Sequence, residues 1–356
     1  MYLKYIAFFV LVIVSLLFNT QMPTKIIDQI QMITVAGFDA TDQDKIQGTV
    51  VTPKYLQQAQ VEDYIYTDTA DTVYGDWVKL NAKATERLLN GKLKVAFYNQ
   101  KLAEQGLSEF TEFLLRDPSI GGNVFLALAE GSSEELIKSV KTGKGRGIFF
   151  SDFFEHNIKH GNLPQTNLKL FNSSLKSDTS DPFMPMFSIE GGVPELTALA
   201  FFNGDKYVDK LPIVKANVFK LLYENLSDGQ YQYKSDAYNI SIENLESDRD
   251  VVYEAEKGSG GMTFNVKVRG VIREYTGQEP TDRLPVIQKD IEQDLEQKAE
   301  KLINRFQELN IDPLAIEEEV KSRNRNYTKD QFKSAYPDMP INVNVNVRLT
   351  ESGTRR

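Results

Sequence analysis

His156 and His160 are the only histidines in the chain. They stand four apart in FFEHNIKH, a spacing that brings two side chains onto one face of a helix. This is an incomplete zinc site: a tetrahedral ion needs further ligands, and Asn157 occupies the position where a zincin motif carries its glutamate. The pair therefore reads as a solvated helix face. KTGKGRG, residues 141–147, sets glycines among Lys141, Lys144 and Arg146 in the manner of a phosphate cradle. It lacks the Gly-Lys-Ser/Thr ending and comes after a predicted helix instead of opening one, so a flexible loop is expected. The 50 acidic residues supply carboxylates in excess, but general acid/base work needs two of them in one pocket, which no spacing here specifies. Gly-x-Ser-x-Gly is absent, and Glu317, Glu318 and Glu319 read as a solvated helix surface. Cysteine is absent altogether, which removes thiolate nucleophiles, disulfides and Cys-based zinc sites. No catalytic set, no metal site and no cofactor is predicted.

The elements that must position any site are clearer. QMITVAGFDATDQDKIQGTVV predicts a β-hairpin turning at Ala40 to Asp44. Val61 to Asp76 reads as a polar loop, followed by a helix ending at Gly91 and a strand over Leu93 to Tyr98. QKLAEQGLSEFTEFLLRD predicts one helix stopped by Pro118, then come the strand NVFLALAEG and a helix capped by Ser132 or Ser133. This alternation predicts an α/β layer with a mostly parallel core. Residues 161–195, with Pro164, Pro182 and Pro185 and a Ser/Asp-rich centre, read as a connection. Beyond it, a hairpin at Asn203-Gly204, a helix and several alternating segments predict an antiparallel sheet. Apolar residues at Ile287, Ile291, Leu295, Ala299, Leu302, Phe306 and Leu309 mark one face of a long helix over 285–309. INVNVNVRL is a strand with one buried and one wet face. The fold class is multi-domain α+β, divided as 1–24, 25–160, 161–195 and 196–356.

Tyr5 to Phe18, YIAFFVLVIVSLLF, is the one strongly apolar run. Its 14 residues make about 21 Å of helix, short of a bilayer core of about 30 Å. Lys4 precedes it, which predicts export of the chain beyond Phe18. Small residues are missing where a signal peptidase would cut, so an uncleaved signal-anchor is expected, with atypical cleavage as the alternative. The anchor residues are Tyr5, Ile6, Phe8, Phe9, Val10, Leu11, Val12, Ile13, Val14, Leu16, Leu17 and Phe18, helped by tilt, thinning and snorkelling at Lys4. The membrane is thus a predicted partner. A net charge of −9 with interspersed charges argues against nucleic acid, whose phosphates need clustered Lys and Arg.

Several stretches resemble the Ger(x)C family of spore-germination proteins, the C subunits of nutrient germinant receptors. They are IIDQIQMITVAGFDATDQDKIQGTVVTP, the segment KVAFYNQKLAEQGLSEFTEFLLRDPSIGGNVFLALAEGSSEEL, NRFQELNIDPLAIEEEV and INVNVNVRLTESG. The second includes Ala103, Gly106, Leu107 and the run Leu115-Arg116-Asp117-Pro118. The resemblance implies a non-enzymatic subunit at the spore inner membrane, its body on the extracytoplasmic face, assembling with a larger membrane subunit and a permease-like subunit. Members carry a lipobox cysteine, whereas LLFNTQMPTK here has none, and an uncleaved anchor would substitute for the lipid. A solute-binding protein capturing a small nutrient and a cell-envelope hydrolase are the other classes considered.

Overall fold

The computed structural model describes residues 2, 5, 30–56, 60–254, 260–277, 283–324 and 327–351. The central strands of its larger sheet are buried along continuous runs, because successive side chains point to opposite faces and both faces are covered. In chain order the first elements are β1 (Ile30–Met32), β2 (Val35–Ala40), β3 (Ile46–Tyr55), β4 (Val61–Ala70), α1 (Val73–Lys83), β5 (Arg87–Leu89) and β6 (Val95–Asn99). Next come α2 (Gln100–Gln105), α3 (Ser108–Arg116), β7 (Phe125–Ala129), α4 (Ser133–Ser139), α5 (Arg146–Lys159) and α6 (Leu168–Lys176). β8 (Phe183–Glu190), β9 (Val193–Asn203) and β10 (Lys206–Pro212) complete an eight-stranded sheet in the order β10-β9-β8-β7-β6-β2-β3-β4. Its centre, β2-β6-β7-β8, is parallel, and antiparallel hairpins flank it on both sides. The expected hairpin is present, with Ala40 paired to Ile46.

Val95 and Phe97 face one layer of the core while Ala96 and Tyr98 face the other. On the first face, α5 brings Phe150 and Phe154 against Phe97 of β6 and Phe187 of β8. On the second, α2, α3 and α6 contribute Leu102, Phe110 and Phe171. Asp39, at the end of β2, accepts from the backbone N–H groups of Ser133 (2.7 Å) and Glu134 (3.1 Å) and from Ser132 Oγ (3.1 Å). This carboxylate ties the sheet to the N-terminus of α4, where the helix dipole favours a negative charge.

The remaining elements are α7 (Ala216–Tyr223), β11 (Tyr231–Lys234), β12 (Asn239–Glu254), β13 (Gly261–Tyr275), α8 (Leu284–Glu308), α9 (Ile316–Arg323), α10 (Lys329–Ala335) and β14 (Ile341–Glu351). β11 to β14 form a second sheet in sequence order. Its last pair departs from the antiparallel expectation, because β14 runs parallel to β13; the intervening α8, α9 and α10 carry the chain back to the starting end. Helix α8 agrees with the predicted apolar face and lies along β14. Gln288, Glu292 and Glu296 accept from the backbone N–H groups of Leu349, Val347 and Val345, each at 2.8–2.9 Å. Four helical residues rise about 6 Å and two strand residues about 6.6 Å, so side chains one turn apart meet alternate strand amides. The helix serves as a substitute neighbour for an edge strand.

Phe201 of β9, Phe219 of α7 and Phe306 of α8 pack edge to face and join the two sheets into one apolar cluster. Asp181 and Asp312 bolt the same junction. Asp181 accepts from the backbone N–H of Asp312 (2.8 Å) and of Gly204 (2.9 Å), while Asp312 caps α9 through Ile316 (2.9 Å) and Glu317 (2.7 Å).

Four expectations are corrected. Val61 to Asp76 is not a loop: it supplies β4 and the start of α1. The helix expected from Gln100 is two helices, broken at Gly106 with φ +128°, because Asp205 accepts from Ser108 N–H at 3.1 Å and its carbonyl takes Leu107 N–H at 3.0 Å. Residues 161–195 are no mere connection, since they hold α6 and the buried strand β8. The Gly143–Gly147 loop, expected to be flexible and not to open a helix, does open α5, and it is held there by Asp63, which accepts from Arg146 N–H (2.8 Å) and its guanidinium (3.0 Å).

Candidate functional site: a groove over buried Asp76

Helix α1 starts at Thr72, whose hydroxyl accepts from Gly75 N–H. That start turns Asp76 inward and leaves Trp77, the chain's only tryptophan, half-buried at the surface. Opposite runs α3, which ends where Pro118 forbids another turn. Asp117 then accepts from Asn90 Nδ2 (2.9 Å), Ser119 N–H (2.9 Å) and Ser119 Oγ (2.6 Å), fixing the Arg116-Asp117-Pro118 turn against β5. Between the two helices lies a groove of about 700 Å³, floored by β5 and walled by Tyr74, Trp77 and Phe113. Ile30, the first residue of the described body, pairs with Arg87 on the same β5.

Beneath the groove is a cavity of about 20 Å³. Val73, Trp77, Asn90 and Phe113 line both spaces. Asp76 lines only the inner one; it is 1% exposed, and its Oδ1 accepts no hydrogen bond. Burial pushes its carboxyl up to about 7; the backbone N–H of Gly48 opposes that rise, Asp68 adds to it, and Lys79 and Lys83 oppose it. Gly48 of β3 makes room for the acid, since a Cβ there would overlap Asp76 Oδ2. Gly48→Ala is therefore expected to cost about 3 kcal/mol or more, the range of an overpacked core with a displaced buried acid, read as a lowered urea midpoint.

Asp312 is the second acid pushed up to about 7, again chiefly by burial, against the pull of the Glu317 and Ile316 amides. Both acids hold a proton in the folded chain at pH values where the unfolded chain has lost it. Stability from these shifts is full below about pH 4 and disappears as pH rises through about 7. The urea midpoint should fall across that window, and Asp76→Asn should flatten part of the fall and exceed the unsubstituted chain at pH 8.

The residues singled out by spacing do not converge here. His156 and His160 lie on α5 and at its C-terminal end, with ring centroids 4.6 Å apart, and His160 Nδ1 is 3.0 Å from the Asp228 carboxylate. Among the described residues no group of three or more His, Asp or Glu is placed to hold a metal ion. The Glu317–Glu319 run is not a uniform solvated face: Glu317 is buried and bonded to the Tyr327 hydroxyl, Glu318 accepts from Thr179, and only Glu319 pairs outward with Arg323. Of the anchor residues Tyr5 is exposed, while Ile6 to Phe18 lie outside the described residues; among those described, no helix is long and apolar enough to cross a membrane. Asp76 itself went unnoticed in sequence because it sits in the polar stretch expected to be a loop. The available signal was Thr72 three residues before Gly75, a capping position followed by Trp77 and Leu80 at helical spacing.

The arrangement offers a concave, aromatic-walled surface with a buried hydrogen-bond acceptor below it, suited to binding. Comparison with known proteins supplies its context. Residues 23–189 match the model of the spore germination protein N-terminal domain, and residues 197–353 match that of the spore germination B3/GerAC-like C-terminal domain. The chain is 30% identical over 338 residues to the spore germination protein GerQC of Bacillus cereus, covering 93% of this chain and 94% of the relative. Its fold is similar to the crystal structure of the GerBC protein, with a TM-score of 0.60 at 13% identity over 88% of this chain and 96% of the other. By its two matched domains and its near full-length likeness to GerQC, the chain belongs to the Ger(x)C family of spore germination proteins.

Proposed function

We propose that this chain is a non-enzymatic, membrane-tethered subunit of a spore nutrient germinant receptor, required for germination in response to nutrients. The observation that carries the reading is the near end-to-end likeness to GerQC. The body stands on the extracytoplasmic face of the spore inner membrane, held by an uncleaved helix over Tyr5 to Phe18. It works as a docking and relay component beside a larger membrane subunit and a permease-like subunit. Two features support a docking role. The β5 strand that receives Ile30 also floors the groove, so the tethered end and the concave surface share one side of the body. The polar face of the second sheet presents Asn342, Asn344, Asn346 and Arg348 in a row from β14.

The test is a pull-down of the tagged full-length chain from detergent-solubilised spore inner membranes, with co-purifying proteins identified by mass spectrometry. Recovery of a permease-like protein and a larger membrane subunit in defined ratio is expected. Recovery of the chain alone, under conditions that keep other membrane complexes intact, would overturn the subunit reading.

A further inference from the structure

Asp76 is a buried carboxylate whose Oδ1 accepts no hydrogen bond, in a chain where Asp39, Asp181 and Asp312 are each held by two or more donors. Leaving such a group unpartnered costs stability. The slot that holds it depends on the missing side chain of Gly48. The cavity beside it, about 20 Å³, is large enough for one water-sized group. Trp77 and Phe113 are half-buried and line both that cavity and the outer groove, so the way from the groove to the cavity runs past these two rings.

The groove's chemistry is one-sided. Glu109, Glu112 and Asp117 line it against Arg87 and Arg116, and Arg116 is held by Glu112 at 2.9 Å. Three carboxylates face two guanidiniums before Asp76 is counted. Tyr74, Trp77 and Phe113 give aromatic walls that attract organic cations. Its size falls within the range of small-molecule sites.

We infer that this groove binds a small organic ammonium ion, whose amine displaces any water beside Asp76 and donates a hydrogen bond to the unpartnered carboxylate oxygen while its carbon chain lies on Trp77 and Phe113. The inference goes beyond assembly with membrane subunits and stands or falls independently of it. The charged groups facing Asp76 are Asp68 on β4 and Lys79 and Lys83 on α1, with Arg87 on β5 and Glu109, Glu112 and Arg116 on α3 at the groove.

Trp77 is the only tryptophan, so tryptophan emission reports on this groove alone. The test titrates the full-length chain in detergent with n-butylammonium chloride, and in parallel with n-butanol and with sodium chloride at matched ionic strength. A saturable change in Trp77 emission with butylammonium only is expected, at least tenfold weaker in Asp76→Asn. On the unsubstituted chain the affinity should rise about tenfold from pH 6 to pH 8, as an acid titrating near 7 becomes ionised. An unsaturable response, an equal response to butanol, or an unchanged affinity in Asp76→Asn overturns the inference. If Asp76→Asn does not fold, the pH series decides: an affinity that is flat from pH 6 to pH 8 overturns the inference.

Discussion

Glu292→Ala combined with Glu296→Ala is expected to lower stability by about 2–5 kcal/mol. Each substitution leaves a half-buried strand amide without its acceptor, and an orphaned donor costs about 1–3 kcal/mol. The amides of Val345 and Val347 have no other neighbour on that side, because β14 is the outer strand of its sheet and α8 takes the place of the next one. The effect should reach beyond stability. An exposed edge with free donors is a template for a second chain, so the double variant should show concentration-dependent self-association by sedimentation, absent from the unsubstituted chain. Glu292→Gln with Glu296→Gln keeps an acceptor oxygen at each position, as Gln288 does at Leu349. That pair should stay monomeric and lose less than about 1.5 kcal/mol. Equal losses for the alanine and glutamine pairs would show that bulk packing, and not amide pairing, holds the edge.

The second large effect is expected at Phe187. It is fully buried and its ring meets those of Phe97, Phe150, Phe153 and Phe154, with centroids between 5.4 and 6.4 Å. Phe187→Ala should cost about 3–5 kcal/mol, the usual loss for a large aromatic deletion in a core that cannot collapse around the gap. Denaturant unfolding followed by far-UV circular dichroism measures it. Phe187 sits at the pairing of β8 with β7 and opposite Leu196 of β9. Its loss should therefore loosen the eight-stranded sheet on both sides of the 190–196 boundary between the two matched family domains.

Each element was legible in the sequence to the degree that independent signals agreed on it. Helix α8 was predicted over 285–309 and spans Leu284–Glu308, because apolar residues held one face along its whole length and no tertiary contact had to override them. The Ala40/Ile46 hairpin had β-branched runs on both sides of a polar turn. β4 was missed because it is an edge strand, with residues such as Glu62, Asp63 and Asp68 among its tyrosines and no clean alternation. β8 was missed because Pro182 and Pro185 read as breakers. Pairing with β7 begins only at Met186, so no ladder donor is required of Pro185 on that side. The parallel approach of β14 depends on how three helices return the chain, which no local pattern encodes. Of the groove, the stop at Pro118 was visible, and its meaning was not. Asp76 becomes distinctive only when Gly48, 28 positions earlier, is folded over it.

The parallel pairing of β14 with β13 also sets a schedule. β14 leaves the ribosome after every other strand, and until it arrives β13 has an open edge and α8 has no amides for Gln288, Glu292 and Glu296 to receive. The second sheet therefore cannot close until β14 has been made. Every earlier strand of that sheet waits on the eleven-residue β14, which acts as the latch that completes it.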